Sequence, residues 1–494
     1  MKKINFILPI LFLSLFLSCK KDVLIEKPKA TVVESFYNTA GEVEAGLAAI
    51  YSSVRGQIGG RFWIDVLECQ TEWGAGFTGS ANFDGFRSMQ GLDPAAAKNV
   101  EPIWNGFYVA IRNANYVIKY TPTGKILSEE AKNKYIGEAR FMRAFTYFQL
   151  VRAWGGVPLY TEENMDQTTG VPKSTKEDVY QLILDDLNFA EANLPDNAPL
   201  LGKPSKLIAK AVLADVYFYM GLNKEASEKA NEVILSQKYS LEKVSVEDDF
   251  NKIFGIGASS PEEVFYLKFN KNSPSQLVTG TQQIRTRWFG RGGGGTFTWH
   301  KESKFYSNWN DSDLRKHFNW YETTADSIAR LDPPGQSAFP NVGVTWLACK
   351  KYNAPNETVE AFDVPVYRYA DILLLYAEAV TRANGGPTSD AVEKLNMVHR
   401  RAYGYDPLLP SPVDFNISDY TTETFIDQVV QERGYEFQWE GKRWFDLVRS
   451  GRVKETMKKM IDRDVADKHL LWPIPSIEFD LNTAFKASDQ NPGY

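Results

Sequence analysis

Two stretches of this chain gather flat rings together with hydrogen-bonding groups. The first holds Trp73, Gly74, Phe77, Asn82, Phe83 and Asp84. In the second, Trp288, Phe289, Phe297 and Trp299 flank Arg291 and the run Gly292 to Gly295. A flat ring stacks against the C–H face of a sugar, while amide, carboxylate and guanidinium groups bond its hydroxyls. Trp73, Phe77, Asn82, Phe83, Trp288, Arg291 and Trp299 are therefore the candidate ligand contacts. The alternative is that these rings pack the loops onto a scaffold, and the sequence leaves both readings open.

Other chemistry is weaker. Glu436 and Glu440, with Arg433 and Arg443, fall three or four residues apart, so on one helix they would form a ladder of alternating charge beside a core face carrying Phe437, Trp444 and Val448. Paired carboxylates also run glycoside hydrolysis, but one of the pair must stay protonated, and neighbouring arginines oppose that. Gly290, Gly292 and Gly295 match a dinucleotide-binding pattern by letter, yet Thr296 to His300 does not read as the helix that would hold a pyrophosphate. None of His300, His317, His399 and His469 has a His or Cys at metal-ligand spacing. Residues 308–319 lack the glycine and terminal glutamate of a calcium loop. No catalytic residue, metal or cofactor is expected.

Composition narrows the class. A hydrophobic fraction of 43% with 24% charged residues suits a globular chain with a large core. The net charge of -6, without a dense basic stripe, disfavours nucleic acid as a partner. At the N-terminus, Lys2 and Lys3 precede an apolar run from Ile4 to Leu17, then Ser18 and Cys19. This order reads as a lipoprotein signal peptide over residues 1–18 with Cys19 lipidated, the run being too short to span a bilayer. Phe16 stands where such signals usually carry Leu, and the alternative is a secreted chain with a chance cysteine. Cys69 and Cys349 are too few for a disulfide framework; they could pair during export or remain buried thiols.

The elements that must position these residues are mainly helical. Ser205 begins a segment with Leu207, Ala211, Ala214 and Phe218 at helical spacing; Gly221-Leu222-Asn223 turns, and Ala226, Ala230 and Val233 line the return. This resembles a tetratricopeptide hairpin, in which small residues let two helices approach closely. A second hairpin runs from Ile372 through Ala379, turns at Asn384 to Pro387, and returns through Ala391, Leu395 and Val398. A third helix-rich region spans Ile103 to Trp154 and stops at Gly155-Gly156. The expectation is one domain over 19–494, mainly α, with scaffold segments at about 36–55, 103–236 and 366–460. Its irregular, partly β second lobe would come from excursions at about 59–93 and 270–365, including a strand-like piece from Phe318 to Glu322.

Dispersed motifs then point to a family. They include Glu138-Ala139-Arg140-Phe141-Met142-Arg143-Ala144, Trp154-Gly155-Gly156-Val157-Pro158-Leu159, and Arg368-Tyr369-Ala370-Asp371 running on to Ala379. Further on come Glu440-Gly441-Lys442-Arg443-Trp444-Phe445-Asp446, Leu471-Trp472-Pro473-Ile474-Pro475 and Gln490-Asn491-Pro492-Gly493-Tyr494. In this order they resemble the SusD/RagB family of surface glycan-binding lipoproteins. The resemblance implies a tetratricopeptide-like scaffold and a lipid anchor in the outer membrane, facing outward. It also implies capture of an oligosaccharide without catalysis and delivery to a SusC-like TonB-dependent transporter. Because ligand contacts in the family come from variable loops, it transfers no binding residue. A surface glycoside hydrolase and a peptide-capturing scaffold are the rival readings.

The anchor has a direct test: Cys19→Ala abolishes incorporation of a labelled fatty acid and leaves the protein soluble or unprocessed. Continued labelling of that variant refutes lipidation at Cys19.

Overall fold

The computed structural model describes residues 36–73, 85–86, 89, 98, 100–167, 170–275, 298–300, 303–324, 345–352 and 361–494. Helix α1 (Ala40–Ile58) starts from a reciprocal cap: the Thr39 hydroxyl accepts from the Glu42 amide, and the Glu42 carboxylate accepts from the Thr39 amide at 2.8 Å. Val43, Leu47, Ile50, Val54 and Ile58 then fall at helical spacing on its buried face. After α2 (Arg61–Cys69) come α3 (Glu101–Tyr120) and the 26-residue α4 (Glu129–Trp154). Helix α4 lies between α3 and α5 (Lys176–Asn193), so nearly every residue from Ile136 to Trp154 is buried. The region from Ile103 to Trp154 is thus two helices separated by Thr121 to Ser128.

Helices α6 (Lys206–Tyr219) and α7 (Asn223–Leu235) form the expected hairpin, with Ser205 capping the Ile208 amide and Ala211, Ala214, Ala226 and Ala230 fully buried. Gly221 turns the chain at φ +77°, a conformation that side chains disfavour. Short α8 (Leu314–Asn319) precedes the second hairpin, α9 (Tyr369–Asn384) and α10 (Ser389–Ala402), whose turn places Gly385 in the left-handed region. Helix α7 packs on α9, joining the two hairpins, and α9 packs in turn on α11 (Thr422–Glu436). Helices α12 (Arg443–Ser450), α13 (Val453–Ile461) and α14 (Ser476–Leu481) follow.

The second lobe carries two small antiparallel sheets. β1 (Glu263–Leu267) pairs with β5 (Val364–Arg368), and β4 (Thr345–Cys349) lies between β2 (Thr298–His300) and β3 (Trp320–Thr324). The strand expected from Phe318 begins instead at Trp320, because Asp313 caps α8 and carries it through Asn319. Residues 61–69 correct the reading of 59–93 as irregular. Residues 63–69 of this helix are all buried, so Asp65 and Glu68, three residues apart on its polar stripe, face the protein interior and not solvent.

The charged ladder is also corrected. Helix α11 ends at Glu436, and the chain turns through Trp439 and Gly441, both at positive φ, before α12 starts at Arg443. The four residues therefore do not share one helical face, and each pairs elsewhere. Arg368, at the end of β5 and fully buried, donates to Glu440 at 2.8 and 3.0 Å, to Glu436 at 2.8 Å and to Glu262 at 3.1 Å. Glu436 also accepts from Arg401 at 2.6 Å and Arg315 at 3.0 Å. Lys351 reaches Glu440 at 2.6 Å, and Arg433 binds Asp371 and Asp446.

The family-like motifs meet in a tryptophan cluster. Trp154 packs edge-on against Trp104 and Trp472 with ring centroids 5.2 and 5.0 Å away, and Trp63 lies 5.6 Å from Trp472. The Trp472 amide donates to the Ala153 carbonyl at 2.7 Å, and the Asn491 side chain donates to the carbonyls of both Trp154 and Trp472. The C-terminal motif thereby ties the end of α4 to the segment before α14.

Two outcomes follow from the buried charges. Arg368→Met leaves three carboxylates short of a partner and should cost about 3–5 kcal/mol in urea denaturation. Burial would raise the Glu432 pKa, but Arg315 and His399 overcome it and hold the group at about 2, against an ordinary 4.5. A folded-state pKa below the unfolded one contributes stability in full above about 4.5, lost as pH falls toward 2. Acid unfolding monitored by circular dichroism should therefore fall in that window and begin at higher pH in Arg315→Ala.

Candidate functional site

Of the seven candidate contacts, Phe77, Asn82, Phe83, Trp288 and Arg291 lie outside the described residues. Trp299 is on β2, where strand register sets it opposite Leu347 of β4. Trp73 takes the packing role of its two readings. Its ring is 3% exposed, its Nε1 donates to Glu68 at 2.9 Å, and Phe305 lies 4.6 Å away between centroids. With Arg443 5.8 Å over the same ring, Trp73 presents no open face for a sugar.

What the structure brings together is the footing of the two excursions. Trp73 is the last described residue before 74–84, and Ser303 opens a helical turn just beyond 276–297. The Ser303 hydroxyl donates to the Glu72 carbonyl at 2.9 Å, so the two footings touch. Beneath them, the Glu72 carboxylate accepts from Nε and Nη2 of Arg443 at 2.9 and 2.5 Å, while Arg443 Nη1 donates to the Val430 carbonyl. Phe305 continues inward to Trp309, which stacks on Tyr435 at 4.5 Å and 18°. A charge-assisted pair with a stacked aromatic column makes a rigid mounting for loops.

Sequence reasoning missed Glu68 and Glu72 and placed Arg443 in the wrong partnership. The available signal was three acids at helical spacing, Asp65, Glu68 and Glu72, between Trp63 and Trp73, where carboxylates left unpaired on burial would be costly. Glu68 Oε1 accepts from the Gly441 amide at 2.8 Å. Burial nevertheless pushes its pKa up to about 7, against these donors and Lys351.

The carboxylates Glu436 and Glu440 are not arranged as an acid–base pair. Burial opposes ionisation of each, but Arg401, Arg368 and Arg315 hold Glu436 far below the usual carboxylate range, and Arg368 and Lys351 lower Glu440. Neither is protonated near neutral pH, so neither serves as a general acid.

Comparison with known proteins decides the family. Residues 231–494 match the model of the SusD family, and residues 79–218 match the model described as starch-binding associating with outer membrane. The chain belongs to the SusD family. SusD-like protein P2 of Formosa agariphila is 27% identical, over 93% of this chain and 94% of its own. Among solved structures, a SusD homolog from Bacteroides thetaiotaomicron superposes with a TM-score of 0.76 at 23% identity, covering 94% of this chain and 98% of that one. A laminarin-binding SusD-like protein gives 0.73 at 23% identity, covering 93% and 100%. The mainly helical, tetratricopeptide-like SusD fold expected from the dispersed motifs is the fold observed.

The raised pKa of Glu68 gives the mounting a pH signature. A group whose folded-state pKa exceeds its unfolded value contributes stability below the unfolded pKa, lost as pH rises through the folded one. Stability should therefore decline as pH rises from about 4.5 to about 7, and Glu68→Gln should remove that part of the slope in melts across pH 5 to 8. An unchanged slope shows that Glu68 does not titrate there.

Proposed function

We propose that this chain is a cell-surface glycan-binding lipoprotein, anchored to the outer membrane through Cys19, that captures oligosaccharide and delivers it to a TonB-dependent transporter. Membership of the SusD family carries the reading. A laminarin-binding relative of similar fold and a family description naming starch and the outer membrane support it. In this reading the 74–84 and 276–299 stretches form the ligand surface, with Phe77, Asn82, Phe83, Trp288, Arg291 and Trp299 as contacts. Trp73 serves as their buried post. Adjacent footings favour it, since one ligand can then be held between two loops that share a rigid base. Release to a transporter requires reversible binding, and stacking on rings supplies moderate affinity without covalent chemistry.

The chain is proposed to bind without cleaving, a reading the ionised state of Glu436 and Glu440 supports. Affinity electrophoresis of the mature protein in gels containing laminarin, starch and other glycans should show retardation by at least one. Trp299→Ala should weaken binding to that glycan about tenfold to a hundredfold, the loss of one stacked ring, while its melting temperature stays near the parent's. Reducing ends released from the glycan would favour a hydrolase, and retention of peptides alone would favour the scaffold reading. A large β-barrel protein should co-purify from mild detergent; the lipoprotein recovered alone would count against delivery to a transporter.

A further inference from the structure

A cleft of about 390 Å³ opens along α3 and shares no lining residue with the Trp73 mounting. The inner face of α3, with Ile103, Phe107, Ile111 and Ala114, is buried in the scaffold, whereas Asn105, Tyr108, Val109 and Arg112 lie on the opposite face. Tyr160 and Met165 form the facing wall, Trp104 the floor, and Glu478 of α14 one end.

The walls are held in place before any ligand arrives. Tyr108 donates to the Pro158 carbonyl at 3.0 Å, and the Asn115 amide donates to the Tyr160 carbonyl at 3.0 Å. Trp104 Nε1 donates to Glu478 at 3.1 Å, and the Tyr108 and Tyr160 rings meet edge to face at 5.8 Å. Two polar side chains stand apart from this closed arrangement. Asn105 and Arg112 are exposed, and neither has a hydrogen-bond or ion-pair partner among the described residues. Seven residues separate them on one helix face, about 10 Å along the axis, the span of roughly two sugar rings.

We propose that this cleft is a second, accessory binding site for a short glycan bearing an anionic substituent, a carboxylate or a sulfate. The tyrosine rings, Val109 and Met165 offer flat apolar surface to the C–H faces of the sugar. Asn105 bonds hydroxyls, and the unpaired guanidinium of Arg112 takes the anion with the paired donors suited to it. Glu478, engaged by Trp104 and Asn482, accepts hydroxyl donors at the other end and sets the direction of the chain by repelling the anion toward Arg112. The ligand class rests on the glycan-binding reading above, but the site shares no residue with the proposed loops.

The test is hydrogen exchange of the mature protein with trigalacturonate, a sulfated galactan tetrasaccharide or laminaritriose, with titration calorimetry in parallel. At least one acidic probe should slow exchange in residues 104–116, 158–166 and 476–482, and laminaritriose should not. Arg112→Ala should weaken that binding at least tenfold, and Val109→Trp, which fills the cleft, should abolish it. Both variants should keep the parent's melting temperature and its retention by whichever polysaccharide retards the parent in gels. Protection by no acidic probe overturns the proposal, as does equal affinity in Arg112→Ala; equal protection by laminaritriose overturns the anionic assignment. Failure of the parent to be retained by any polysaccharide instead refutes the glycan-binding reading itself.

Discussion

The buried guanidinium of Arg368 is the interaction on which the arrangement of the two lobes depends. It sits at the junction of β5 and α9 and bonds carboxylates from three other places: Glu262 before β1, Glu436 at the end of α11 and Glu440 in the turn after it. Burying one such charge would cost several kcal/mol, and the cost is offset only when every lone pair and proton finds its partner. Arg401, Arg315 and Lys351 complete the set by supplying the remaining donors to the same acids. An apolar core tolerates small shifts of its elements; this one tolerates little, because a displaced strand or helix leaves an unpaired charge.

A second constraint closes the chain on itself. Asn491 bonds the carbonyls of Trp154 and Trp472, and Lys173 reaches both the Asp489 carbonyl and the Asn491 side chain. Segments more than 300 residues apart in sequence thus become neighbours around a tryptophan cluster. These bonds hold the end of the chain against the helical scaffold. The same lattice of buried polar bonds mounts the two excursions at Glu72, Ser303 and Arg443 and fixes the walls of the cleft on α3.

The helical hairpins were legible because their signals are local. Ser205 caps, alanines at helical spacing mark a close crossing, and Gly221 and Gly385 supply left-handed turns, all within about thirty residues. Helix α2 was missed although Asp65 and Glu68 stand at helical spacing, because it is only 9 residues long and its polar stripe is buried, as no surface helix would have it. The ladder around Glu436 misled for another reason: helical spacing continued past the point where Trp439 and Gly441 turn the chain. Of the candidate site, the sequence marked where rings gather. It could not show that Trp73 faces inward, nor that Ser303 bonds the carbonyl of Glu72.

By itself, then, the sequence determined the helical scaffold, the order of the family motifs and the charge and apolar pattern read as an export signal, because each is written in neighbouring residues or in a short period. Tertiary structure alone decided which acid meets which arginine. Glu436 is three residues from Arg433 and seven from Arg443, yet it bonds Arg315, Arg368 and Arg401, distant in sequence and close in space. Charge partnership inside a protein is set by which buried groups can all be satisfied at once, and that is a property of the whole packed arrangement, absent from any segment of it.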